Sequence, residues 1–152
     1  MEFAGSVLGE SWILYTNCRQ VKLGRAVDMT CFLCGREQED HQHLFFRCGI
    51  SRLCVELVQR WLGRPVGEEF SWSVIRRLRG RSMLEKLVLY AAFSGLVHHI
   101  WMTRNVCRVY FYIRSPTCIV NDLKLELRVR VGSLQAKLSR RDMEWLRSVE
   151  LV

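Results

Sequence analysis

The sequence predicts a mainly α-helical domain with a small knuckle of cysteine and histidine residues near its amino terminus, where a short β-hairpin could also form. Three observations lead there. Apolar residues recur at helical spacing over much of the stretch from Ser51 to Val149. Residues that start and stop helices punctuate that stretch, and Cys31, Cys34, His43 and Cys48 lie close together ahead of it. At 152 residues, 49% hydrophobic and 25% charged, the chain is the size of one domain and can bury enough apolar surface to exclude wholesale disorder. Pro65 and Pro116 are its only prolines, and no low-complexity run or repeat divides it. Residues 1–13 read as an extension, 14–130 as the metal-bearing helical domain, and 131–152 as a helical segment that is either packed on it or loosely attached.

The elements follow in order. Thr16 to Leu23 can form a short helix closed by Gly24. After the knuckle, Ser51 can cap a helix whose broad apolar face carries Cys54, Val55, Leu57, Val58, Trp61 and Leu62, with Gly63 as its stop. A short helix is expected from Ser71 to Leu78, ended by Gly80. Ser82-Met-Leu-Glu85 reads as a capping box that opens the longest helix, running to about Tyr112 and apolar almost all round as far as Phe93, as a buried central element should be. Ser115-Pro116 resembles a cap followed by proline in the first turn. Beyond it, Leu123, Leu125, Leu127, Val129 and Val131 alternate like a strand, but Ile119, Leu123, Leu127, Val131, Leu134 and Leu138 keep helical spacing for longer, and length favours the helix. Ser139 to Asp142 can start a last helix carrying Met143, Trp145, Leu146 and Val149.

The knuckle has the pattern C-x2-C-x8-H-x4-C, at Cys31, Cys34, His43 and Cys48. Structural zinc takes four tetrahedral sulfur or nitrogen ligands, and two cysteines separated by two residues wrap one ion from a tight turn. Gly35 follows that turn, where a positive backbone dihedral suits glycine. His41 is the alternative to His43, and Cys54 is a reserve ligand lying within an apolar stripe. Cys18, Cys107 and Cys118 have no partner at ligand spacing and read as packing residues. With all four positions filled by protein, the ion would be structural.

Twenty-three Lys and Arg against 15 Asp and Glu give +8, a balance that favours polyanionic partners such as nucleic acid. Arg76, Arg77, Arg79 and Arg81 form the densest cluster and are the candidate phosphate contacts, with Arg104 and Arg108 behind them; Arg104 could instead pair internally. No alternation of aromatic and basic residues of the single-strand-binding type is apparent, so sequence specificity is not expected. Seven unevenly placed cysteines argue for a metal site in an intracellular, reducing compartment rather than a disulfide framework. Met1 to Trp12 lack the basic start of a secretory signal. Leu87 to Thr103 is free of formal charge but too short and too polar for a membrane span.

Four blocks of this sequence resemble the zinc-binding domain that follows the reverse transcriptase in plant LINE-type non-LTR retrotransposons. Thr16-Asn-Cys-Arg19 through Gly24 is similar to that family's T-x-D-R-L-x-x-W-G, and Cys31 to Gly35 to its C-x-L-C-G. Glu39 to Cys48 matches its E-x3-H-L-F-F-x-C, and Ile100-Trp101-x-x-Arg104-Asn105 its I-W-x-x-R-N. Cys18, Leu23, Gly49 and Val55 depart from it, standing where the family has Asp, Trp, Pro and Trp. The resemblance implies zinc at Cys31, Cys34, His43 and Cys48, nucleic-acid binding near a polymerase, and a fragment or stand-alone derivative of the longer polyprotein. No paired aspartates of the kind that hold catalytic magnesium are present, so an enzyme is not expected. Two other readings stand beside nucleic-acid binding. One is a structural or protein-interaction domain that associates with a partner or with itself through exposed apolar surface, and the other is a relic without selected activity.

Overall fold

The computed structural model describes residues 14–65, 79–133 and 138–152. Among these the order is α1 (Asn17–Lys22), a single π-helical turn (His43–Arg47), α2 (Gly49–Trp61), α3 (Met83–Tyr110), α4 (Pro116–Gly132) and α5 (Arg140–Ser148). The domain is mainly α, as expected. The β-hairpin that the sequence left open is reduced, among the described residues, to one isolated antiparallel bridge, Thr30 to Gln38.

α3 is the spine. Leu84, Val88, Leu89, Ala92, Phe93, Leu96 and Ile100 are buried along it, and it packs against α2, α4 and α5. Gly95 lets α4 come close, since a Cβ there would lie 2.5 Å from the Leu123 side chain. α4 is helical and buries Ile119, Leu123, Leu127 and Val131, so the helical periodicity prevails over the alternating one, but the helix stops at Gly132: Leu134 lies outside the described residues and Leu138 is not helical. Leu146, Val149 and Leu151 belong to the same core, and Trp61 Nε1 donates to the Val149 carbonyl at 2.6 Å, joining α2 to the carboxyl-terminal segment.

The caps fall largely where the sequence puts them. Ser82, Ser115 and Ser139 each accept an N–H from three residues on, at Glu85, Cys118 and Asp142. In the box at Ser82, however, the Glu85 carboxylate pairs with Arg81 at 3.1 Å, while the Ser82 hydroxyl donates to Asp142 Oδ1 at 2.6 Å and ties α3 to α5. Two expectations need correction. Ser51 is not a cap: α2 starts at Gly49, and the buried Ser51 hydroxyl donates to the Leu44 carbonyl at 2.5 Å. α3 ends at Tyr110 rather than Tyr112, because Phe111 turns left-handed at φ 54° and its N–H closes on the Cys107 carbonyl. The helix expected at Ser71–Leu78 lies outside the described residues.

Candidate metal centre

The knuckle is built from two turns. Cys31 N–H donates to the Glu37 carbonyl and Gly35 N–H to the Cys31 carbonyl, both at 2.8 Å, and Gly35 sits at φ 63°, where a side chain would be strained. The second turn starts at Asp40, whose carboxylate accepts from His43 N–H at 2.6 Å. It closes through Cys48 N–H to the His43 carbonyl at 2.7 Å, a π-type bond from residue i+5 to residue i. This explains the H-x4-C spacing. In an α-helix two residues five apart diverge by about 140°; the wider π turn bonds residue i+5 back onto residue i, which brings His43 and Cys48 much closer to one side.

Together the turns bring one donor atom each from Cys31, Cys34, His43 and Cys48 within 4.8 Å of one another, and the four could bind a metal ion. Cys34 Sγ and His43 Nε2 are 3.2 Å apart. Cys31, His43 and Cys48 are buried and Cys34 is half-buried. His43 is oriented from behind: its Nδ1 faces Glu37 Oε2 at 3.2 Å, leaving Nε2 to present a lone pair to the cluster. Cys48 is the residue just ahead of α2. The Cys31 thiol donating to it, helped by the N–H groups of Ile50 and Ser51, stabilises its thiolate and pulls its pKa below the ordinary thiol range. The same bond and burial push Cys31 up.

The alternatives separate cleanly. His41 Nε2 is engaged at 3.1 Å with the Leu14 carbonyl, outside the cluster. Cys54 is wholly buried in the core and its thiol is pushed up to about 12 by desolvation. Cys107 donates to the Phe32 carbonyl at 3.1 Å, and Cys18 is half-buried. Cys118 is exposed, so it is not the packing residue expected.

Internal pairing of Arg104, the alternative that the sequence offered, is what the structure has, but its partner Glu39 was not foreseen; together they lock the knuckle to the spine. Glu39 and Arg104 are both buried, with Arg104 Nη2 and Nε donating to Glu39 Oε1 at 2.6 and 2.9 Å. Glu39 also accepts from the N–H groups of Asn17 and Phe32 at 3.1 and 3.2 Å. Arg104 donates further to Asn17 Oδ1 at 2.8 Å and Asn105 Oδ1 at 3.1 Å, and its guanidinium lies 5.1 Å from each of the Phe32 and Trp101 rings. Arg104 is therefore withdrawn as a phosphate contact, since every face of its fork is used inside the domain. Its Arg-Asn pair, following an apolar-Trp step, was the available signal.

Of the other basic candidates, Arg79 is exposed, and Arg81 is half-buried and paired with Glu85. Arg108 is exposed, with one N–H reaching Gln20 Oε1 at 3.4 Å. Arg76 and Arg77 lie outside the described residues. Among the described residues no helix is long and apolar enough to cross a membrane. Compared with protein-family models, with curated proteins and with solved structures, the chain matches none.

Proposed function

We propose that one zinc ion, held by Cys31, Cys34, His43 and Cys48, fastens the amino-terminal knuckle to the helical body, and that the resulting module binds nucleic acid non-specifically through its basic surface. Convergence of the four donors carries the first part. Tetrahedral zinc, with bonds of about 2.3 Å to sulfur and about 2.0 Å to nitrogen, holds its donors about 3.5–3.8 Å apart, so in a cluster already within 4.8 Å no pair need move by much more than about an ångström, and Cys34 and His43, at 3.2 Å, need only open slightly. Three thiolates and an imidazole are a donor set that selects zinc over harder divalent ions. With no position left for water, the ion supplies cohesion rather than chemistry.

The residues that carry the retrotransposon resemblance support a common architecture. Glu39 from one block and Trp101, Arg104 and Asn105 from another meet in one network, which Asn17 joins from a position that the family's motif leaves open. Gly49, where the family has proline, is the first residue of α2, a position that proline suits. The nucleic-acid part rests on the +8 charge, with Arg79 and Arg108 as its exposed described candidates.

Two measurements test the proposal. Purified chain is expected to carry one zinc that Cys31→Ser loses. Its equilibrium binding to RNA and DNA is expected to weaken steeply from 50 to 200 mM salt, and no binding at low salt would refute the nucleic-acid part. A protein-interaction role is favoured by a different observation, the exposure of Met83, Leu87, Leu125 and Val129, and sedimentation velocity would reveal association through them.

A further inference from the structure

The end of α3 carries the most conspicuous unused surface. Arg108-Val-Tyr-Phe-Tyr-Ile-Arg114 runs off the helix, and within it Tyr110, Phe111 and Tyr112 are 73%, 86% and 61% exposed. The left-handed turn at Phe111 breaks the helix between the two tyrosines, so these residues do not share one helical face that the core could cover. None of the three rings packs against another aromatic ring among the described residues. Three consecutive bare π faces are costly to leave in water and well suited to flat partners.

The charge around them chooses the partner. Arg108 and Arg114 bracket the run, and no carboxylate occurs from residue 105 to residue 118. The contact of Arg108 with Gln20 brings α1 alongside, and residues 14–25 contribute Arg19, Lys22 and Arg25, again with no acid. Lys22 and Arg25 are exposed, and Arg25 lies 5.7 Å from the ring of Tyr15, itself 43% exposed. Arg114 is paired with Asp122, which leaves Arg108 and the α1 cations to face an incoming anion.

We propose that this surface is a stacking platform for single-stranded nucleic acid, with Tyr110, Phe111 and Tyr112 receiving bases while Arg108, Lys22 and Arg25 track the phosphates. The inference rests on the nucleic-acid reading above and names the form of ligand and the place where it binds. An unpaired strand can offer its base faces to the rings; a duplex keeps them stacked inside.

The test uses full-length zinc-loaded chain, a labelled oligothymidylate, an oligouridylate and a DNA duplex of equal length, read by fluorescence anisotropy at low salt. The single strands are expected to bind several-fold more tightly than the duplex. The triple variant Tyr110→Ala, Phe111→Gly, Tyr112→Ala should lose tenfold or more for single strands, the scale of base–aromatic stacking, and change little for duplex. All three side chains are exposed, and melting temperature with zinc content checks that the variant stays folded. Equal affinities for strand and duplex, or a variant that keeps its strand affinity, would overturn the platform while leaving nucleic-acid binding intact. Absence of binding to any of the probes would overturn both. A dimer that the variant dissociates, with strand affinity unchanged, would assign the rings to self-association and likewise overturn the platform.

Discussion

At the residue scale, the interaction with the most at stake is Arg104 with Glu39. Each is almost fully shielded from water, and each is held by further hydrogen bonds to Asn17, so neither can be removed without stranding the other. Arg104→Met is expected to cost about 3–5 kcal/mol in urea unfolding, the range for breaking a buried pair from one side. Arg140→Met, at a pair whose side chains are 93% and 58% exposed, should cost under about 1 kcal/mol. A comparable loss for both would show that Glu39 relaxes toward water. The four donors of the knuckle were legible because C-x2-C-x8-H-x4-C is a spacing that can converge on a single ion. The ion pair was not, because residues 65 apart in sequence meet only once α3 is laid against the knuckle. Internal pairing of Arg104 could be weighed from the sequence, but the identity of its partner could not.

At the scale of elements, the starts of α3, α4 and α5 were legible, while the start of α2 and the end of α3 were not. Ser82, Ser115 and Ser139 act locally, through a hydroxyl and an N–H three residues away, so sequence suffices to find them. The π turn that sets His43 against Cys48 has no such signature, and it moves the start of α2 to Gly49, which frees Ser51 for the Leu44 carbonyl. The end of α3 was also hidden, since a phenylalanine in the left-handed region is an unlikely stop on sterics alone. That strain yields a prediction. Phe111→Gly removes an exposed side chain and a disfavoured dihedral together, and should stabilise the domain by about 1 kcal/mol in chemical denaturation. Destabilisation instead would mean that the ring makes contacts worth more than the strain.

At the scale of the whole molecule, the fold and the metal are expected to be one equilibrium, because Leu33, Leu44 and Phe45 of the knuckle are buried in the same core as the helices and α1 reaches α3 through Glu39 and Asn17. Acid should therefore act on the domain through the ligands. In chelator-treated chain, Cys48 is more acidic folded than unfolded, so its contribution to stability is present above the ordinary thiol range near ~8.5 and is lost as pH falls toward its depressed folded value. Zinc-loaded chain extends the same sign to every ligand, since each must be free of its proton to bind. Titration from pH 8 to pH 4, followed by far-ultraviolet circular dichroism with a zinc indicator, should show metal release and helix loss in the same transition. Release of zinc with all helix retained would uncouple them. The fold class was legible because helical periodicity is written along the chain. The knuckle's attachment to the body was not, because it is made by pairs distant in sequence.

Zinc K-edge absorption of the purified chain tests the centre most directly. One zinc per chain, with three sulfurs at about 2.3 Å and one nitrogen at about 2.0 Å and no bound water, is the expected spectrum. A chain that takes up no zinc, or one whose ion is bound by oxygen or by fewer than three sulfurs, would contradict the assignment of Cys31, Cys34, His43 and Cys48 to a single ion.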